Sequence, residues 1–156
     1  MNHTRTITRT ALGAAAVLLL AGCSPAAPAI DALDRDATPA DTLPADVTMG
    51  DLTADDLRSV RNLATHNGVR YYVAESANKR TACITGYPEK SPKKWFTGCG
   101  ELSRTDREIV TVSMNGVATA MLVPDNLVAT DALTTGYERI HTNIYVAANA
   151  GQIPGA

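Results

Sequence analysis

The chain has 156 residues, 14 of them Lys or Arg and 16 Asp or Glu, with a formal net charge of −2. Eight acidic residues and one Arg lie between residues 24 and 56, whereas the chain from residue 57 onward carries eight acidic and eleven basic residues. This length suits one domain with a tether. The basic excess is too small for a nucleic-acid-binding protein, so we expect no nucleic-acid partner.

The first 22 residues have the three-part layout of a secretory signal peptide. Two arginines, Arg5 and Arg9, precede an apolar run over residues 11–21. That run is too short to span a hydrocarbon core of ~30 Å. A small residue, Gly22, stands directly before Cys23.

Residues 20–23, Leu-Ala-Gly-Cys, resemble the lipobox of bacterial lipoprotein signals. The resemblance implies that a diacylglycerol is attached to the Cys23 thiol and that the signal peptide, residues 1–22, is cut off just before it. The protein would then lie on the extracytoplasmic face of the cell membrane, held there through its lipid anchor. The alternative is an ordinary secreted protein with a chance cysteine at this position.

Residues 23–50 are rich in Pro, Ala and Asp and show no apolar periodicity. Their four prolines exclude a continuous helix. We therefore predict a disordered tether over residues 23–50, a globular domain over residues 51–148, and a flexible tail over residues 149–156.

A short amphipathic helix is predicted to open the globular domain. Thr53 is a favourable N-cap, and Asp55 and Asp56 would lie in the first turn, where the helix dipole stabilises carboxylates. Asn67-Gly68 would end the helix. The apolar residues in between recur at helical spacing: Leu57, Val60, Leu63 and Ala64.

The remainder predicts β-strands separated by turns. Asn115-Gly116 is a strong hairpin signal between two apolar runs. The fold class expected is a small antiparallel β domain, sandwich or open barrel, with one short N-terminal helix. We expect a polar loop over residues 88–98, one strand starting at residue 69, and further strands over residues 81–87, 108–114, 117–123, 127–130, 138–141 and 143–147.

Three cysteines occur in the chain, and lipidation would consume Cys23. In an oxidising compartment, Cys83 and Cys99 then predict one disulfide. A metal pair or a reactive thiol is the alternative, but neither cysteine has the CxxC spacing or the histidine neighbours that such a site needs.

Several short segments resemble a family of small actinobacterial secreted and membrane-anchored domains. They are GVRYYVAES, TACITGYP, a second Cys followed by an apolar hairpin that ends in LVPDN, and NIYVA. The likeness covers roughly residues 37–148, and Asn126 stands where the family usually has Gly after Pro-Asp. It implies a fold and an envelope location but no activity, because the family has no established one.

No GxSxG, HExxH, P-loop or dinucleotide-binding motif is present in the sequence. Each isolated polar residue is expected to have a structural or solvated role and not a catalytic one. An imidazole at residue 66 would face water or bond the last carbonyls of the helix, and residues 138 and 141 would point to opposite faces of a strand. The groups weighed for acid–base chemistry are His66, Asp106, Glu108, Asp125, Glu138 and His141.

Lys90, Lys93, Lys94, Trp95 and Phe96 form the most distinctive cluster, with the only Trp and the only Phe of the chain. Exposed aromatics beside cations suit an anionic or carbohydrate-bearing envelope component. The alternative is that the two aromatic side chains close the bottom of the sheet while the lysines remain solvated.

These observations favour a non-catalytic binding or accessory module of the cell envelope, monomeric and without metal or other cofactor. The alternative function is a small hydrolase or a hydrolase inhibitor, which would need polar groups converging in a pocket. A third possibility is a purely structural role with no exposed patch.

Overall fold

The computed structural model describes residues 29–50, 52–53, 56–103 and 105–147. Cys23 and the tail over residues 149–156 lie outside the described residues, so their predicted roles stay predictions. Within the described part of the chain, no helix has both the length and the apolar character required to cross a membrane.

Two four-stranded antiparallel sheets make up the fold, which confirms the prediction of a mainly β protein. The first sheet has the order β1-β2-β3-β4, and the second has the order β5-β6-β8-β7. The strands are β1 (Leu57–His66), β2 (Val69–Ser76), β3 (Thr81–Pro88), β4 (Phe96–Glu101), β5 (Val110–Met114), β6 (Ala118–Leu122), β7 (Tyr137–His141) and β8 (Ile144–Ala147). A five-residue helix, α1 (Thr130–Thr134), connects β6 to β7.

The predicted N-terminal helix is wrong, because its residues form strand β1, which pairs along its length with β2. Register irregularities interrupt this pairing twice, between Leu57 and Ser59 and between Asn62 and Ala64. A bulge adds a residue to one strand and changes which side chains share a face. The apolar residues therefore fall at three- and four-residue intervals, a spacing that imitates a helix.

The expected helix stop is the hairpin turn between β1 and β2. Asn67 and Gly68 have φ values of 51° and 73°. Two successive residues with positive φ are what a two-residue hairpin of type I′ requires, and Asn-Gly is the preferred pair for it. The same dipeptide that ends helices thus connects two strands here.

One other strand prediction and one loop prediction are wrong. The region predicted as a strand over residues 127–130 leads into α1, and part of the loop predicted over residues 88–98 is the start of β4. Phe96 pairs with Gly86, and an added Cβ at Gly86 would lie 2.3 Å from the Phe96 ring. The strand was missed because its sequence, FTGCGE, has little apolar alternation.

The tether prediction fails for residues 29–50, which pack against the sheets. Ile30 and Leu33 are buried in the main core, and Met49 is buried against the outer face of the first sheet. Buried apolar side chains stabilise an ordered segment in spite of its prolines. The ordered part of the chain therefore includes residues far ahead of the predicted domain boundary at residue 51.

The main hydrophobic core contains residues of both sheets as well as Ile30 and Leu33. Burial raises the pKa of Tyr71, a member of this core, to about 12. Its other buried members are Val69, Val73, Ala82, Ile84, Phe96, Ala118, Ala120, Leu122, Ile144 and Val146.

The edges of the two sheets approach closely where β4 meets β5. A Cβ at Gly100 would lie 2.0 Å from the carbonyl oxygen of Ile109, and one at Gly98 would lie 2.9 Å from the Cβ of Val112. Such distances are far inside van der Waals contact. The glycines of β4 therefore permit this approach of one backbone to another.

The disulfide predicted between Cys83 and Cys99 is confirmed. The two cysteines are directly opposite each other in the register of β3 and β4. The bond thus links neighbouring strands, and the chain between them includes the loop that carries Lys90, Lys93 and Lys94.

Candidate functional site

Three chain connections meet at one end of the molecule. They are the Asn67-Gly68 turn between β1 and β2, residues 89–95 between β3 and β4, and the Asn115-Gly116 turn between β5 and β6. Together they enclose an open cavity of about 280 Å³, here called the lysine cleft. Its lining residues are Asn67, Gly68, Val69, Pro88, Lys90, Ser91, Lys94, Gly116 and Val117.

The lysine cleft is electropositive. Lys90 and Lys94 are exposed, and neither forms an ion pair within the described parts of the chain. No acidic residue is among the lining residues. Two unpaired ammonium groups on one concave surface favour an anion at this position.

Two other ionisable side chains near this end, Arg70 and His66, have partners. Arg70 Nε lies 3.4 Å from Glu89 Oε1, and the Arg70 guanidinium stacks over Tyr87 at 5.0 Å from the ring centre. His66 Nε2 lies 3.6 Å from Glu138 Oε2 and 2.9 Å from Asn67 Nδ2. The predicted bond from His66 to the end of a helix is therefore wrong, since the residue ends a strand.

The sequence cluster at residues 90–96 separates into three environments. Lys90 and Lys94 line the lysine cleft, and Lys93 is exposed in the same 3-10 turn, Pro92–Lys94. Trp95 is half-buried at the entrance to β4. Phe96 has only 4% of its surface exposed and belongs to the main core, so the structure excludes it from an exposed patch.

A second cavity, of about 350 Å³, lies at the opposite end of the second sheet and is lined by Asp31, Asp125 and His141. Asp125 is the centre of this cluster. Its carboxylate accepts hydrogen bonds from the Asp31 backbone N–H at 2.6 Å and from Asn143 Nδ2 at 2.8 Å. The charge of Asp125 raises the pKa of Asp31, because two ionised carboxylates repel each other.

His141 has a structural use within this second cavity. Its Nδ1 accepts a hydrogen bond from the Asn143 backbone N–H at 3.2 Å. Burial lowers the pKa of His141, with Asp125 opposing and Arg139 reinforcing the shift. A neutral ring whose Nδ1 accepts carries its proton on Nε2, so its lone pair is already engaged and the ring is a poor general base.

Asp106 and Glu108, whose two-residue spacing in a strand would place them on one face, instead precede β5. Both line a third cavity of about 400 Å³, together with residues of the α1 region. Val128, with 55% of its surface exposed, lies on the same cavity. No acceptor–donor arrangement suited to catalysis follows from this grouping.

Within the described ranges, no group of three or more His, Cys, Asp or Glu side chains is arranged to hold a metal ion. Comparison with known proteins identifies no family and no related fold. No protein-family model, no curated protein and no solved structure matches this chain. The site must therefore be argued from its own geometry.

The sequence predicts only part of the lining of the lysine cleft. The basic run at residues 90–94 was recognised, but Asn67-Gly68 and Gly116 are distant in sequence and carry no charge. Two Asn-Gly dipeptides, at residues 67–68 and 115–116, were the available signal. Reading both as hairpin turns would have brought them to sheet ends, where loops gather.

Proposed function

We propose that this protein is a non-catalytic module of the cell envelope that binds an anionic or carbohydrate component through the lysine cleft. The observation that carries the proposal is the convergence of three connections, drawn from both sheets, around two unpaired lysines. Loops held by a rigid β scaffold are a common way to build a binding surface. Trp95 follows Lys94 at the same end of the fold and is half-buried there, outside the lining of the cleft.

The proposal includes a membrane anchor. Leu20-Ala21-Gly22-Cys23 supports lipidation of Cys23 and a location on the extracytoplasmic face of the cell membrane. The likeness to actinobacterial secreted and membrane-anchored domains points to the same compartment. A disulfide between Cys83 and Cys99 is compatible with it, because such bonds persist where the environment is oxidising.

We further propose that the two sheets are the layers of a β-sandwich and that the protein acts as a monomer. A hydrophobic core shared by both sheets supports the sandwich. The outer face of the first sheet is covered by Leu43, Met49 and Leu52 of the same chain. That face therefore needs no second subunit to exclude water.

The alternative of a small hydrolase or hydrolase inhibitor draws its support from Asp125 and His141, which line one cavity. Both groups, however, already bond to the backbone or to Asn143. An acid–base pair needs a free lone pair or proton at the reacting atom. The binding function is therefore the better supported of the two.

Charge reversal in the lysine cleft tests the binding function. Trp95 is the only Trp in the chain, so its fluorescence reports titration of the full-length, detergent-extracted protein with inorganic polyphosphate or polygalacturonate. We expect the double variant Lys90→Glu/Lys94→Glu to weaken binding of either polyanion about tenfold, equivalent to about 1.4 kcal/mol. We also expect the wild-type affinity to fall with added salt.

The matched control is Lys79→Glu/Arg80→Glu, which makes the same change in net charge in the exposed turn between β2 and β3. This control should alter the affinity less than twofold. Equal losses in both double variants would mean that only net charge matters. That result, or no binding of either polyanion by the wild type, would contradict the proposed function.

A further inference from the structure

We infer that the lysine cleft points away from the membrane, so that its partner is an anionic polymer beyond the bilayer and not an anionic lipid headgroup. This inference rests on the proposed lipid anchor and on the proposed binding function. Ala29, which is close in sequence to Cys23, and the lysine cleft lie at opposite ends of the fold.

Ala29, six residues after Cys23, lies at the end of the fold opposite the lysine cleft. Its carbonyl oxygen accepts a hydrogen bond from the Asp125 backbone N–H at 2.9 Å, and the Asp31 backbone N–H donates to the Asp125 carboxylate at 2.6 Å. Asp125 follows the last residues of β6, whereas the Asn115-Gly116 turn precedes the start of β6. The full length of β6 therefore separates Ala29 from the Gly116 side of the cleft.

The first sheet has the same polarity. Ala29 and Ile30 line a cavity with Arg58, at the start of β1, and with Lys79, in the turn between β2 and β3. The Asn67-Gly68 turn and Lys90 lie at the other ends of these strands. In both sheets, Ala29 and the lysine cleft therefore lie at opposite ends of the strands.

The reach of the chain from Cys23 and the length of the strands determine how far the lysines lie from the bilayer. Six peptide steps connect Cys23 to Ala29 and can reach at most about 21 Å. The eight residues of β2 add about 26 Å between the Ala29 end and the cleft. Surface potentials of anionic lipids decay over about 8 Å at physiological ionic strength, so the lysines lie beyond their reach when the domain stands on its anchor.

Charge near Ala29 opposes a domain lying on the bilayer. Asp31, Asp34 and Asp36 are exposed close to the entry of the chain. Arg58, which lines the same cavity as Ala29, is paired with Asp34 at 3.1 Å and Glu75 at 2.8 Å. Lys79 lines this cavity too and is an exposed cation. Anionic headgroups repel these three exposed carboxylates, which favours an orientation with the opposite end outward.

Energy transfer from tryptophan to a lipid dye tests the inference. The full-length lipidated protein is reconstituted in phosphatidylcholine–phosphatidylglycerol vesicles that contain dansyl-phosphatidylethanolamine. Trp95, half-buried beside Lys94, marks the cleft end. The double variant Trp95→Phe/Thr142→Trp moves the donor to the exposed turn between β7 and β8, at the Ala29 end.

We expect at least threefold less transfer from Trp95 than from the variant with Trp at position 142. Polyphosphate added to the same vesicles should change Trp95 emission, and Lys90→Glu/Lys94→Glu should reduce this response. Equal or greater transfer from Trp95 would overturn the inference. Transfer from Trp95 that falls in the lysine variant would also overturn it and would identify lipid headgroups as the partner, leaving anion binding intact.

Failure of the proposed function has a different signature. Low transfer from Trp95 together with no response to polyphosphate or polygalacturonate would retain the orientation but overturn the polymer partner. The two tests therefore separate where the cleft points from what it binds.

Discussion

Asp41 holds the N-terminal segment onto the first sheet. Its buried carboxylate accepts two hydrogen bonds from Arg35, two from the backbone and hydroxyl of Thr38, and one from the Asn62 backbone N–H. The Arg35 guanidinium is the largest cause that lowers the pKa of Asp41, although burial opposes it. One side chain therefore connects a 3-10 turn to β1 across 21 residues of sequence.

We expect Asp41→Asn to lower the free energy of unfolding at pH 7 by about 2–4 kcal/mol, because several donors would lose a charged acceptor. The pKa of Asp41 is lower in the folded protein than the value of about 3.9 in an unfolded chain. Its contribution is thus present above pH ~4 and lost as the pH falls below it.

Urea unfolding between pH 7 and pH 2 measures this effect. The gap between wild type and Asp41→Asn should narrow as the pH drops below 4. Asp36→Asn removes an exposed carboxylate nearby and should change stability by less than 0.5 kcal/mol, about the size of an ordinary surface substitution. A gap that is constant with pH would refute the role given to the Asp41 charge.

At the scale of elements, β4 depends on its neighbours more than on its own sequence. Cys99 is bonded to Cys83 of β3, and Gly100 lies against the backbone of Ile109 just before β5. The strand therefore links the two sheets at one edge. A side chain at position 100 would separate that edge.

We predict that Gly100→Ala lowers the free energy of unfolding by about 3 kcal/mol, since its Cβ would lie 2.0 Å from the Ile109 oxygen. Gly136→Ala is the comparison, because nothing lies within 4 Å of its Cβ position while its φ is 93°. That variant should cost only about 1 kcal/mol of backbone strain. Equal losses in urea unfolding would mean that close packing at β4 is not what position 100 requires.

At the scale of the whole molecule, a core residue of the fold lies close in sequence to the proposed anchor. Buried Ile30 lies only seven residues after Cys23, and the part of the predicted tether that the structure describes, residues 29–50, belongs to the fold. The domain would then remain near the bilayer with its lysine cleft directed outward. Function at this scale depends on the acyl chains proposed for Cys23.

Replacing Cys23 by Ser should release the protein from the membrane or leave an uncleaved precursor. Two or more acyl chains, each stabilised by about 0.8 kcal/mol per buried CH₂, give stable anchoring, and the variant lacks the thiol that would carry them. Fractionation with detergent partitioning and mass spectrometry checks the outcome. Ser24→Ala leaves the thiol in place and should partition like wild type, whereas processing and partitioning of Cys23→Ser like wild type would rule out the lipid anchor.

Local signals were enough to predict many of the strands. Alternation and the Asn115-Gly116 turn predicted β5 and β6, and cysteine count with compartment predicted the bond between Cys83 and Cys99. These features depend on residues close together or on chemistry independent of the fold. Strand β1 was predicted as a helix because two register irregularities give its apolar residues a helix-like spacing.

Only the tertiary structure shows the lysine cleft. Lys90 and Lys94 were visible in the sequence as a basic run, but the turns at residues 67–68 and 116–117 reach them only through antiparallel pairing and the packing of the two sheets. Likewise, the burial of Phe96 and Ile30 depends on partners from distant strands. Contacts between remote segments depend on the balance between buried area and chain entropy, which no short stretch of residues expresses.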